Sequence, residues 1–170
     1  MAIESEIGSP SGPMGMGYFL IHVLGKRHGV KASDATALGN SVDEVEQRIA
    51  RRGQHVFSQE AEMSANDIVA RYVGGWYGDE SQNDAFVAAV HGANVVWAPD
   101  GDEAFDDGSH VLQFDRGVSA RLIGFRHADN IEETIASVVE VIMPADAFYT
   151  VLADWHQAFT HELRQWRYLN

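Results

Sequence analysis

His110-Val-Leu-Gln-Phe-Asp-Arg-Gly-Val-Ser-Ala-Arg-Leu-Ile-Gly-Phe-Arg-His127 consists of two strand-like runs around a tight turn. His110–Asp115 and Ser119–His127 are rich in β-branched and aromatic residues. Arg116-Gly117 between them supplies turn chemistry, so the spacing predicts an antiparallel hairpin. Leu122 and Phe114 are expected in the core, with Ile123 and Phe125 on the opposite face. Downstream, Ile135–Met143 contains a further strand, ended by Pro144. Proline lacks an amide N–H, which is no loss at the first position of a helix. Phe148, Leu152, Trp155, Phe159 and Leu163 then recur at helical spacing. They predict a helix of roughly 20 residues whose apolar stripe lies on the sheet.

Upstream, Ile3, Ser5 and Ile7 alternate with Glu4 and Glu6 as in a strand with one wet face. Gly8–Gly15 reads as a loop, and Tyr18–Leu24, apolar on both faces, as a central strand that pairs with the first. Gly12, Gly15 and Gly17 do not match the GxGxxG spacing and no helix follows, so this loop is not a nucleotide site. Gly25–Asn40 is read as irregular, with Lys26, Arg27 and Lys31 as its basic patch. Ser41-Val-Asp-Glu44 has the form of a capping box, opening a helix through Val42, Val45 and Ile49 that Gly53 ends. Ser64-Ala-Asn-Asp67 opens a second helix carrying Ile68, Val69 and Tyr72 as far as Gly74-Gly75, and Asp84–Val90 a third. Trp76-Tyr77 is placed in a loop, His55–Phe57 in a short extended piece, and Val95–Trp97 in a strand or a buried turn. Strands and helices without regular alternation predict an α+β fold, one domain over 1–170, mostly antiparallel with about five strands and a long C-terminal helix.

Composition narrows the function. Twelve Lys+Arg against 25 Asp+Glu leave a net charge of −13. Such a field repels nucleic acid and anionic membrane and attracts basic partners, although charge also serves plain solubility. With no cysteine, disulfides, thiolate metal sites and cysteine nucleophiles are excluded, and a reducing compartment fits. Met1–Ile7 carries acids where a secretory signal needs a basic start, and no apolar run reaches membrane-span length. A cytoplasmic protein is expected.

Ala98-Pro-Asp-Gly-Asp-Glu-Ala-Phe-Asp-Asp-Gly-Ser-His110 concentrates Asp100, Asp102, Glu103, Asp106 and Asp107 without a basic residue. Phe105 stands where a calcium loop needs glycine and Val111 where it needs glutamate, so the EF-hand pattern fails. Three readings stay open: a metal site using Asp106, Asp107 and His110, a solvated turn, and an acidic surface for a protein partner. The remaining histidines show no HExxH or Cys/His spacing. His156 and His161 fall on different helix faces, and His22 reads as a core histidine. There is no GxSxG elbow, and Ser109 and His110 point to opposite faces of a strand, so no nucleophile–base pair is visible. Trp76-Tyr77, between glycines and before Asp79 and Glu80, reads either as a binding anchor or as a core-capping loop.

Phe105–Asp115, Arg121-Leu-Ile-Gly-Phe125 and Pro144-Ala-Asp-Ala-Phe-Tyr149 with Leu152, Trp155 and Phe159 resemble the immunity protein 42 family of bacterial polymorphic toxin systems. The strand pair Ala2–Ile7 and Tyr18–Leu24 is similar too, whereas residues 53–97 match poorly. The resemblance implies a cytoplasmic antidote, not an enzyme, without cofactor or metal. It would bind the C-terminal domain of a cognate toxin, often a nuclease, and touch neither nucleic acid nor membrane. Joined to the charge, it makes Asp79, Glu80, Asp84, Asp100, Asp102, Glu103, Asp106 and Asp107, with Trp76 and Tyr77, the candidate partner-binding residues. The competing readings are a small metal-dependent enzyme on Asp106, Asp107 and His110, and an acidic nucleic-acid mimic or scaffold.

Overall fold

The computed structural model describes residues 1–9, 15–78, 83–97 and 103–169. Among them, seven strands form two antiparallel sheets and five α-helices pack around these, an α+β architecture. In the first sheet β1 (Ala2–Ser9) pairs with β2 (Met16–Val23), with Ser5 opposite Phe19. On its other side β2 pairs with β3 (Lys26–His28) and with β4 (Thr36–Ala37). The stretch from Gly25 onward is therefore partly ordered as strand. The β2–β3 turn places Leu24 at φ 49° and Gly25 at φ 77°. Left-handed residues at both centres make a hairpin turn, but leucine in the first of them hides its signature.

The second sheet holds the expected hairpin. β5 (Ser109–Arg116) and β6 (Ser119–Arg126) pair with Arg116 opposite Ser119, and β7 (Val139–Pro144) extends the sheet along β6. Gly117, at φ 62°, is the first of two loop residues, a position where glycine meets no steric penalty. Core covers both faces of this sheet. Val111, Ala120 and Leu122 join a cluster with Phe19, Ile21, Leu38 and Phe148, while Leu112, Phe114, Ile123 and Phe125 join one with Ile68, Tyr72, Phe86 and Val90. Phe114 thus shares the face of Ile123 and Phe125, not that of Leu122. It stands opposite Arg121 in the register, and side chains alternate along a strand.

Helix α1 (Leu38–Ala50) begins three residues before the expected cap, with Ala37 at its N-cap and no side-chain cap hydrogen bond. Ser41 is instead buried within it. Leu38, Val42 and Val45 form one buried stripe, and burial of Leu38 outweighs capping as the choice of start. Helix α2 (Ala65–Trp76) opens as expected, Ser64 Oγ accepting from the Asp67 amide at 3.1 Å. It runs through Gly74-Gly75 because α3 (Asp84–Gly92) packs close: a Cβ on Gly75 would lie 2.7 Å from Val87. Helix α4 (Ile131–Ser137) had no expectation. Its cap is Asn130, whose side chain accepts from Glu133 N at 2.8 Å. Helix α5 (Ala145–Leu169) buries Phe148, Leu152, Trp155, Phe159 and Leu163, the predicted stripe.

Candidate functional site

Of the predicted site residues, Asp79, Glu80, Asp100 and Asp102 lie outside the described residues. Of the others, Tyr77 and Asp107 meet the end of the β5–β6 hairpin that carries Ser109, His110 and Arg126. Trp76 is the last residue of α2 and Tyr77 its C-cap, so the pair ends a helix rather than occupying a loop. Asp84 opens α3 and is exposed. Glu103 opens a short 3-10 turn (Glu103–Phe105) that Asp106 and Asp107 continue toward β5. Ala104 and Phe105 are buried, and the Ala104 carbonyl accepts from Val30 N at 2.8 Å, so the acidic turn is pinned from beneath.

The charges in that turn are not equivalent. Glu103 and Asp106 are exposed. Asp107 accepts from the Arg126 guanidinium at 2.5 Å and from Ser109 N at 3.1 Å, so its charge is spent on the hairpin end. Among the described residues, no three His, Asp or Glu side chains converge as a metal site. The reading built on Asp106, Asp107 and His110 gains no support from this geometry.

The aromatic pair rests on histidines. Tyr77 stacks on His127, ring centres 3.9 Å apart and planes 10° apart. Its hydroxyl is hydrogen bonded to His110 Nε2 at 3.0 Å. His110 stacks in turn on Phe125 at 4.8 Å, and Trp76 lies 4.5 Å from His91. Burial first, and the neighbouring charge of His127 second, push the His110 imidazole down to about 4. It is neutral at neutral pH, and its Nδ1 is buried without a hydrogen-bond partner. Sequence reasoning picked out Trp76 and Tyr77 but not His110 or His127 as their supports. The histidines that are buried are His28, His55 and His110. His22 is half-buried and bonded to Glu4 at 3.1 Å, not a core residue.

Sequence reasoning also passed over three polar networks, two of them at the turn end of the β5–β6 hairpin. Arg48 reaches Glu44, Gln113 and the Val96 carbonyl. Asp115 accepts from the Tyr149 hydroxyl and from Gly53 N. Glu60 holds both Arg116 and Arg121. Local spacing hid them: Gln113 and Asp115 alternate with the buried Leu112 and Phe114, the pattern of a strand with one wet face. No described helix is long and apolar enough to cross a membrane.

Comparison with known proteins completes the picture. The sequence model of one family, described as immunity protein 42, matches residues 1–158. No curated protein matches the chain. In fold the chain is similar to the crystal structure of CdiI from Burkholderia dolosa AUO158, with a TM-score of 0.56 and 14% identity over 90% of this chain and 92% of that one. At that identity the likeness is one of fold.

Proposed function

The chain belongs to the immunity protein 42 family, and from that premise we propose that it acts in the cytoplasm as a single-domain, non-enzymatic antidote that binds the C-terminal domain of a cognate nuclease toxin. The observation that carries the reading is the family match over residues 1–158. Charge supports the nature of the partner. A nuclease that grips phosphate presents a basic surface, and a chain of net charge −13 is steered toward it. Asp84, Glu103 and Asp106 are exposed, and the aromatic pair is partly so, at 36% exposure for Trp76 and 48% for Tyr77. Aromatic anchors ringed by charge are the usual centre of a protein interface. In this reading the acidic end of the hairpin covers the basic cleft of the toxin and keeps nucleic acid out.

The test pairs the chain with the toxin domain encoded beside its gene. Co-expression should restore growth, the two proteins should form a stable complex by calorimetry, and nucleic-acid cleavage in vitro should stop when the antidote is in excess. Unrescued growth with no measurable complex would remove the immunity reading. A complex with a toxin that cleaves no nucleic acid would remove only the nuclease.

A further inference from the structure

Between the C-terminal end of α2 and the segment leading from β6 into α4 lies an open cleft of about 690 Å³. Arg71, Tyr77, Asn83, His127, Asp129 and Ile131 line it. Tyr77 and Ile131 remain 48% and 41% exposed, and Trp76 precedes Tyr77 in the chain. Tyr77 is held before any partner arrives, its ring on His127 and its hydroxyl on His110. An exposed ring fixed in this way loses little freedom on binding, which is what an interface anchor needs.

The charge around the cleft selects the occupant. Asp129 lines it, exposed Glu132 and Glu133 follow in the first turn of α4, and exposed Asp84 opens α3. Against these four acids stands Arg71, whose guanidinium lies toward α3, 5.9 Å from the Phe86 ring. Anionic partners and nucleic acid are repelled, and a second copy of a chain of net charge −13 is disfavoured as well. A cation is favoured twice, by the acids and by the face of an aromatic ring.

We infer that this cleft receives an arginine or lysine side chain of the toxin, seated against Tyr77 and Ile131 and directed at Asp129. The inference rests on the immunity reading above and adds Asp129, Ile131 and His127 to the partner-binding surface.

The test uses the full chain and the toxin domain encoded beside its gene. Ile131→Arg and Asp129→Arg change exposed positions, so both variants should fold, which their thermal melts will check. Each should raise the dissociation constant at least tenfold, because each sets a like charge against the incoming cation. Val118→Arg is the control. Val118 is 90% exposed at the β5–β6 turn, the opposite end of the hairpin from His110 and His127, and should leave affinity within twofold. Wild-type binding with cleft variants no weaker than the control would overturn the cleft and leave the immunity reading standing. Tighter binding by Asp129→Arg would show an acidic occupant and overturn it too. If the wild-type chain forms no complex, the immunity reading fails and the cleft falls with it.

Discussion

The Arg48 guanidinium lies over Trp97, 4.2 Å from the ring centre, where neither residue meets solvent. From there it donates to Glu44 at 2.7 Å, to Gln113 at 3.1 Å and to the Val96 carbonyl at 2.5 Å. Burial pushes its pKa down while Glu44 acts in the opposite sense, yet an arginine stays charged in such a place. One side chain thereby ties α1 to β5 and to the segment before the acidic turn. Arg48→Ala is predicted to cost about 3–5 kcal/mol, because it strands a partly buried carboxylate and an unpaired carbonyl. Arg48→Lys should recover only part of that, since an ammonium lacks the planar fork that serves three acceptors at once. Urea denaturation of the three proteins measures both, and equal midpoints would show that Arg48 is dispensable.

Glu60 differs from a surface carboxylate in having two arginines of unequal burial. Arg116 grips it at 2.5 and 2.6 Å and is partly exposed, whereas Arg121 meets it at 2.8 Å and is buried. Arg121 also donates to Glu140 at 2.6 Å. Removing Arg121 should therefore be severe, about 3–5 kcal/mol, because Glu60 stays buried with half its compensation gone. Removing Arg116 should cost about 1 kcal/mol, because water can replace it. Chemical denaturation of Arg121→Ala and Arg116→Ala should give that order, and the reverse order would refute the assignment of the core partner.

These networks also mark where the sequence stopped being legible. The hairpin, the Ser64 cap and the α5 stripe were readable because each is written in local spacing, apolar residues at periods of two or 3.6 and a hydroxyl three residues from an amide. β3 was missed because Leu24 sits in a left-handed conformation that leucine seldom adopts. α4 was missed because Ile131 and Ile135 are its only large apolar residues, too few for a period. The start of α1 was misplaced because a good cap at Ser41 competed with burial of Leu38, and burial prevailed. At the candidate site the exposed aromatics and acids could be named. Nothing in the local sequence said that Tyr77 would meet His110, 33 residues on, or that Arg126 would take up the charge of Asp107. Such pairings are set by topology.

Acid should lower the stability of the folded chain through His110, the support of Tyr77. His110 titrates at about 4 in the folded chain against 6.5 when free, because burial disfavours its charged form. Between those values the unfolded chain binds the proton and the folded chain does not. The neutral histidine thus contributes its stability fully above pH 6.5 and loses it as pH falls toward 4, a change on the order of 3 kcal/mol. His28 and His55 are lowered by burial as well and add in the same direction. Denaturant unfolding from pH 8 to pH 4 should show stability falling on that limb, and His110→Gln should flatten it. A slope unchanged by the substitution would assign the pH dependence to other groups.

Glu103 and Asp106 belong to a different experiment from Asp107, although the three acids lie within five residues of one another. The first two are exposed, and their charge reaches solvent, while that of Asp107 is spent on Arg126 and Ser109 N. Reversing the exposed pair, Glu103→Lys with Asp106→Lys, should leave the melting temperature nearly unchanged. It should slow association with the toxin domain roughly tenfold at low salt and flatten the dependence of that rate on ionic strength, as expected when steering is lost. Asp107→Asn should do the opposite. The association rate should hold, and stability should fall by at most about 1 kcal/mol, because the ion pair it breaks is partly solvated. Stopped-flow association at several salt concentrations, run beside thermal melts, separates the two. An unchanged rate and salt slope in the double variant would place the acidic turn outside the interface, and Asp107 would then be the only acid among the three with an assigned role.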